Sequence, residues 1–178
     1  MRVVGLAVCA VAAAVAACGG ETSAPPDQGS FQATVSGDLS LNLSGTAVFG
    51  TQGPDFEGFG IALVSGVVGQ NNSDYILMAR DNTARPAAGE YEIVDVNCTG
   101  CTADDFSAVY LHQLTLFDIG VYTSLSGTLT IESSSAEQMT GSFTLTATAF
   151  VISGDVTAED VSLQGTFRAV PGAIPSPQ

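Results

Sequence analysis

Cys98 and Cys101, in the run Cys98-Thr99-Gly100-Cys101, have the most specific spacing for chemistry in this chain. Two cysteines separated by two residues can exchange electrons as a thioredoxin-like dithiol, contribute to a zinc site, or close a small disulfide. Redox exchange needs one thiolate at a helix N-terminus, and here the pair follows strand-like sequence with Thr99-Gly100 as a turn. Zinc needs further ligands, and beyond scattered carboxylates the chain offers only His112. A structural disulfide is therefore the expected state in an exported protein, with modest stabilisation because the ring is small. His112, the sole histidine, could act as a general base, but its sequence neighbours supply no nucleophile with an orienting carboxylate. Alternation groups it with Phe106, Ala108 and Tyr110, as an ordinary strand histidine. Carboxylates gather as Asp55 and Glu57, Asp104 and Asp105, and Glu159 and Asp160. Loops of this kind can hold calcium, but none has the spacing of a dedicated calcium loop, so solvated loop charge is expected. A glycosidase-like pair would depend on separation in space rather than in sequence. No catalytic, cofactor-binding or metal-ligating residue is assigned, and no cofactor is expected.

The N-terminus carries an address. Met1-Arg2 gives a short positive start, and Val3 to Ala17 is almost unbroken apolar sequence ending in small residues. The run is too short and too alanine-rich for a convincing membrane span and fits a secretory signal. Val15-Ala16-Ala17-Cys18 resembles the lipobox of bacterial lipoproteins. That resemblance implies cleavage before Cys18, which is diacylated and tethers the protein to a membrane. Gly19 rather than Asp follows the cysteine, which in Gram-negative lipoproteins implies routing to the outer membrane. Cys9 would leave with the cleaved peptide. Gly19 to Ser30 has no periodicity and reads as a flexible tether of roughly 20 Å reach. The expected layout is signal peptide 1–17, lipidated Cys18 and tether 18–30, one β-domain 31–170 and a C-terminal tail 171–178.

The chain of 178 residues has a formal net charge of −14 and only four basic residues, Arg2, Arg80, Arg85 and Arg168. Nothing here could neutralise a run of phosphates, so nucleic acid is excluded as a partner, and docking of the folded body on anionic headgroups is disfavoured. Charged residues make up 12% of the chain, too few to coat the outside of a helical bundle, while Thr, Ser and Gly are abundant. Such a mixture suits a soluble β-protein.

Period-two alternation is clearest from Thr123 to Phe150. Leu125, Gly127, Leu129 and Ile131 share one face, as do Met139, Gly141, Phe143, Leu145 and Ala147, with Thr and Ser on the other. The polar loop Ser133 to Gln138 closes these two strands as a hairpin. Similar alternation runs through Phe31 to Val35, Leu39 to Phe49, Gly89 to Ile93 and Val161 to Ala169. Phe59 to Val68 is apolar on both faces, so its register is not readable. Short turns and no helical stretch predict an all-β fold: a single antiparallel, strongly curved sandwich or barrel.

Gly45, Gly127, Gly141 and Gly165 each follow a Ser, Thr or Gln on the inward register of a strand. Glycine there lets a sheet coil and lets an aromatic ring from the neighbouring strand lie over bare backbone. Ser126-Gly127-Thr128, Gly141-Ser142-Phe143 and Gly165-Thr166-Phe167, with Gly89-Glu90-Tyr91 upstream, resemble an uncharacterised family of bacterial lipoproteins. The resemblance implies a β-rich exported domain and carries over no functional residue. The expected role is a non-enzymatic binding or structural module of the cell envelope, meeting a protein, a polysaccharide or a small apolar ligand. A barrel carrying an apolar ligand in its interior and a carboxylate-dependent hydrolase are the alternatives. Oligomeric state is not readable.

Overall fold

The computed structural model describes residues 28–51, 58–153 and 159–175. The expected signal peptide, Cys18 and most of the expected tether lie outside these residues, as do Asp55, Glu57 and residues 154–158 and 176–178. All nine regular elements among the described residues are strands: β1 (Ser30–Gly37), β2 (Leu41–Thr51), β3 (Phe59–Ser65), β4 (Ser73–Arg80), β5 (Gly89–Val94), β6 (Phe106–Gln113), β7 (Ile119–Ser134), β8 (Met139–Ile152) and β9 (Asp160–Pro171). They hydrogen-bond in the order β1-β2-β3-β4-β6-β5-β7-β8-β9, and β9 returns to β1, so the sheet closes as a barrel without a free edge.

A ring of nine strands cannot alternate direction all the way round. The mismatch falls where β5 wedges between β6 and β7, with Ile93 and Val94 running parallel to Phe106 and Ser107. Further along, β6 and β7 pair directly through Val109–Gln113 and Ile119–Thr123. Ser124 sits at this fork: its hydroxyl donates to Val94 O and accepts from Ala108 N, joining all three strands. A second short parallel contact, Val48–Phe49 with Val170–Pro171, seals the wall beyond the start of β1. The antiparallel reading therefore holds for the remaining pairs.

The β7–β8 hairpin forms with Leu129 opposite Phe143 and Gly127 opposite Leu145. Both strands run further than the alternation suggests, and Ser133 and Ser134 belong to β7 rather than to the loop. A bulge between Ser124 and Ser126 switches parity: Tyr122 and Ser124 point inward before it, and Leu129 and Ile131 after it. Leu125, expected on the inner face, is consequently exposed.

Inward side chains from all nine strands form one apolar cluster. The inward glycines are roofed by cross-strand rings, as the alternation predicts: Phe31 opposes Gly45, Phe143 opposes Gly165 and Phe167 opposes Gly141. Gly127 instead faces Leu145. These contacts let the wall coil tightly while the rings fill the space the missing side chains leave.

Outside the barrel, Ala62, Val64 and Tyr75 form a second buried cluster with Val48, Leu77 and Ile174 packed against it. The segment after β9, read from sequence as a tail, here lies across the wall: Gly172 N donates to Phe49 O and the Tyr75 hydroxyl to Pro175 O (2.7 Å). Covering on this side explains why β3 is apolar on both faces. Burial pushes the Tyr75 phenol from 10.0 up to about 12. Because the folded value lies above the unfolded one, this contribution to stability is intact below pH 10 and is lost as pH rises towards 12. Urea titrations across that window should show a shallower loss for Tyr75→Phe, which also starts about 1 kcal/mol less stable because the Pro175 bond is gone. An identical slope in the two proteins would show that the Tyr75 hydroxyl does not couple to folding.

Candidate functional site

Strand direction divides the barrel into two ends. β1 starts, and β9 finishes, at one of them, together with Arg80 at the close of β4 and Phe106 at the opening of β6. The opposite end carries the β1–β2, β3–β4, β6–β7 and β8–β9 connections.

At that opposite end a polar group interrupts the apolar interior. Asp74, His112 and Gly120 are consecutive cross-strand partners on β4, β6 and β7, and Tyr110 and Tyr122 are partners one layer deeper. The Tyr110 hydroxyl donates to Asp74 Oδ1 at 2.7 Å, and His112 Nδ1 donates to the same oxygen at 2.8 Å. Tyr122 stacks on Tyr110 with ring centroids 5.4 Å apart. Its phenol rises to the level of Gly120, where a Cβ would stand 2.9 Å from the hydroxyl oxygen. Burial foremost, then the Asp74 charge and hydrogen bond, raise the Tyr110 phenol above its ordinary value. Burial and the charge of Asp38 do the same for Tyr122. Asp38, on the β1–β2 turn, is itself held below the ordinary carboxylate value by backbone N–H groups of Asp160 and Glu159.

His112 thus occupies the strand position its alternation indicates, but it has a carboxylate partner from a strand 38 residues away. An Asp–His pair bonded through Nδ1 is the orienting half of a nucleophilic triad. No Ser, Thr or Cys side chain bonds to the imidazole among the described residues, so the arrangement supplies a held imidazole without a nucleophile. Sequence reasoning placed Tyr110 on the same strand face as His112 but missed Asp74 and Tyr122 as its companions. The available signal was parity: Asp74 shares the inward register of Ile76 and Met78, where a carboxylate is out of place.

The remaining expected residues are dispersed. Cys98 and Cys101 are joined by a disulfide, with Cα atoms 5.9 Å apart, in the β5–β6 connection. Asp104 Oδ1 accepts from Arg80 and Asn82, and Asp105 Oδ2 from the Thr102 backbone and hydroxyl. These two lie at the Arg80 end, whereas Glu159 and Asp160 lie at the other, so the acidic pairs do not combine. Among the described residues no three His, Cys, Asp or Glu side chains converge.

The outer wall of β2, β1, β9, β8 and β7 has a chemistry of its own. Asn42, Thr34, Gln164, Thr144 and Thr128 are successive cross-strand partners in one row. Two residues along, roughly 7 Å away, Ser44, Gln32, Thr166, Ser142 and Thr130 form a second row. Ser36, Ser162, Thr146 and Ser126 form a third. None of these side chains is charged, although the chain carries −14 overall. A groove of about 590 Å³ crosses the first two rows, and a neighbouring one of about 290 Å³ follows the third. The fold is thus a closed nine-stranded β-barrel with a packed apolar interior, a polar knot at one end and a neutral grooved wall. No protein-family model, curated protein or solved structure matches the chain.

Proposed function

We propose that the protein is an exported, lipid-anchored module of the cell envelope that binds neutral polysaccharide along the outer wall of its barrel, without catalysis. The observation that carries this reading is the three-row field of uncharged hydroxyl and amide side chains on an otherwise acidic molecule. Ser, Thr, Asn and Gln each both donate and accept, as sugar hydroxyls do, so an extended glycan can exchange partners along the rows. Acidic flanks such as Glu90 and Glu92, next to the Thr130 and Thr128 positions, disfavour anionic polymers. The interior supports a wall site over a carried apolar ligand, because Phe143 and Phe167 close over the inward glycines that could have framed a cavity. The anchor is Cys18, which precedes β1 in the sequence. In a Gram-negative cell the expected membrane is the outer one.

Retardation of the full chain in gels containing neutral glucans, galactans or mannans tests the reading. Gln164→Ala combined with Thr144→Ala should weaken retention about tenfold, the equivalent of roughly 1.4 kcal/mol. These exposed positions leave stability within about 0.5 kcal/mol. Cys18→Ser should move the protein from the membrane to the soluble fraction and leave glycan retention unchanged. Absence of retention on every neutral polymer, or retention indifferent to the wall variants, would remove the wall site.

A further inference from the structure

The knot at the end of the barrel is chemically out of place in its surroundings. Asp74, His112, Tyr110 and Tyr122 are all buried or nearly so, and they lie directly above an apolar cluster in which Ile76 and Met78 hold the same register as Asp74. A buried carboxylate is costly, and packed apolar residues commonly serve stability as well or better. The chain nevertheless places its only histidine, a carboxylate and two phenols together.

We infer that Asp74, Tyr110, Tyr122 and His112 form a binding site for a hard trivalent cation, with ferric iron as the ion that fits. Three observations converge on it. The Tyr110 hydroxyl and His112 Nδ1 stand 2.7 and 2.8 Å from Asp74 Oδ1. Adjacent donors around a six-coordinate ion with bonds of roughly 2.0–2.1 Å stand about 2.9 Å apart, so these three atoms have the spacing of neighbouring ligands, and loss of the two shared protons frees their lone pairs to turn toward one ion beside them. The second phenol is brought to the same layer, because Gly120, the partner of His112, has no Cβ and the Tyr122 ring and hydroxyl pack where one would stand. The charges also balance. Among the ligands, one carboxylate and two phenolates carry three negative charges against the three positive charges of the ion, the nearby Asp38 carboxylate adds to the field at Tyr122, and the imidazole is a neutral nitrogen ligand suited to iron. Thiolates, which would favour zinc or copper(I), are absent from the group.

Binding is a proton exchange. Each phenol loses its proton to solvent, the Nδ1 proton leaves the Asp74 side of the imidazole, and Nε2 carries the ring proton when His112 ligates. No oxidation or reduction is involved. Because ligands must shed protons, affinity falls as pH falls. Edges of the Asp74 and His112 side chains reach the surface at this end of the barrel, which gives the ion an entry.

The test is titration of the full chain with ferric nitrilotriacetate, followed by visible absorption. One equivalent should produce a phenolate-to-iron charge-transfer band and raise the melting temperature. Tyr110→Phe and Tyr122→Phe keep the stacked rings, so they fold, and each should weaken binding about a hundredfold or more with loss of band intensity. Gly120→Val should suppress the band by displacing the Tyr122 ring and hydroxyl. Tyr91→Phe, a phenol bonded to Ala87 O at the other end of the barrel, should leave the band unchanged. No band in the folded protein, a band that survives in both Tyr110→Phe and Tyr122→Phe, or binding of zinc in preference to ferric iron would each overturn the assignment.

Discussion

Replacing Gly141 by alanine is expected to lower the unfolding free energy by about 3 kcal/mol, at the upper end of what overpacking usually costs. The new Cβ would stand 2.2 Å from Thr130 O and 2.9 Å from the Phe167 ring. These two obstacles are not equivalent. Phe167 can rotate or be trimmed, whereas the Thr130 carbonyl is part of the β7–β8 ladder, in which Thr130 pairs with Ser142 and Ile131 with Gly141. Moving it breaks pairing in a wall that has no free edge to absorb the shift. The double variant Gly141→Ala, Phe167→Leu should therefore recover little. Gly69→Ala is the contrasting case: nothing lies within 4 Å of the added carbon, and only the positive φ of 79° opposes it, so the loss should stay near 1 kcal/mol. Urea denaturation of the three variants decides the matter. Full rescue by Phe167→Leu would show that the ring, and not the backbone, makes Gly141 obligatory.

What could be read from the chain itself follows the range of the forces involved. Alternation at Met139 to Ala147 and Val161 to Ala169 reports a local fact, which face of a strand meets the core, and that fact survives into the structure. Glycines at 45, 141 and 165 were legible for the same reason, since each needs only an aromatic one strand away. Pairing of β1 with β9 depends on residues more than 120 apart, as in Ser36 with Ser162, and no local pattern announces closure of the ring. Parity also misleads across a bulge. Leu125 keeps its place in the alternation but loses it in space once the bulge beside it adds a residue to one strand. The two-faced run of β3 lacked a readable register because its outer cover comes from Ile174, in a segment without periodicity. His112 could be assigned to a strand, but its partner Asp74 arrives through β4–β6 pairing across the intervening β5, so the polar knot existed only after the fold did.

Arg80→Ala is expected to cost about 3 kcal/mol, and the reason is not its ion pair. The guanidinium is buried at the end of the barrel where β1 starts, 5.5 Å from the Tyr91 ring centroid and 5.4 Å from that of Phe106. It donates to Ala84 O at 2.6 Å and to Asp104 Oδ1 at 3.2 Å. The Asp104 side chain is 65% exposed, so water screens that pair, and Asp104→Asn should cost only about 0.5 kcal/mol. Truncation at Arg80 instead removes the long stem that fills space between two rings, together with two cation–ring contacts of roughly 0.5–2 kcal/mol each. An opposing effect is already present in the native protein: Nε is buried and has no hydrogen-bond partner among the described residues, a defect of about 1–3 kcal/mol. Methionine restores most of the stem, keeps contact with both rings and carries no N–H to orphan. Arg80→Met should accordingly lose only about 1 kcal/mol. Thermal and urea unfolding of Arg80→Ala, Arg80→Met and Asp104→Asn separate the contributions. Equal losses in Arg80→Ala and Asp104→Asn would mean that charge pairing dominates, whereas a large loss in Arg80→Ala with a small one in Arg80→Met means that the arginine closes this end of the barrel chiefly as packing material between Tyr91 and Phe106.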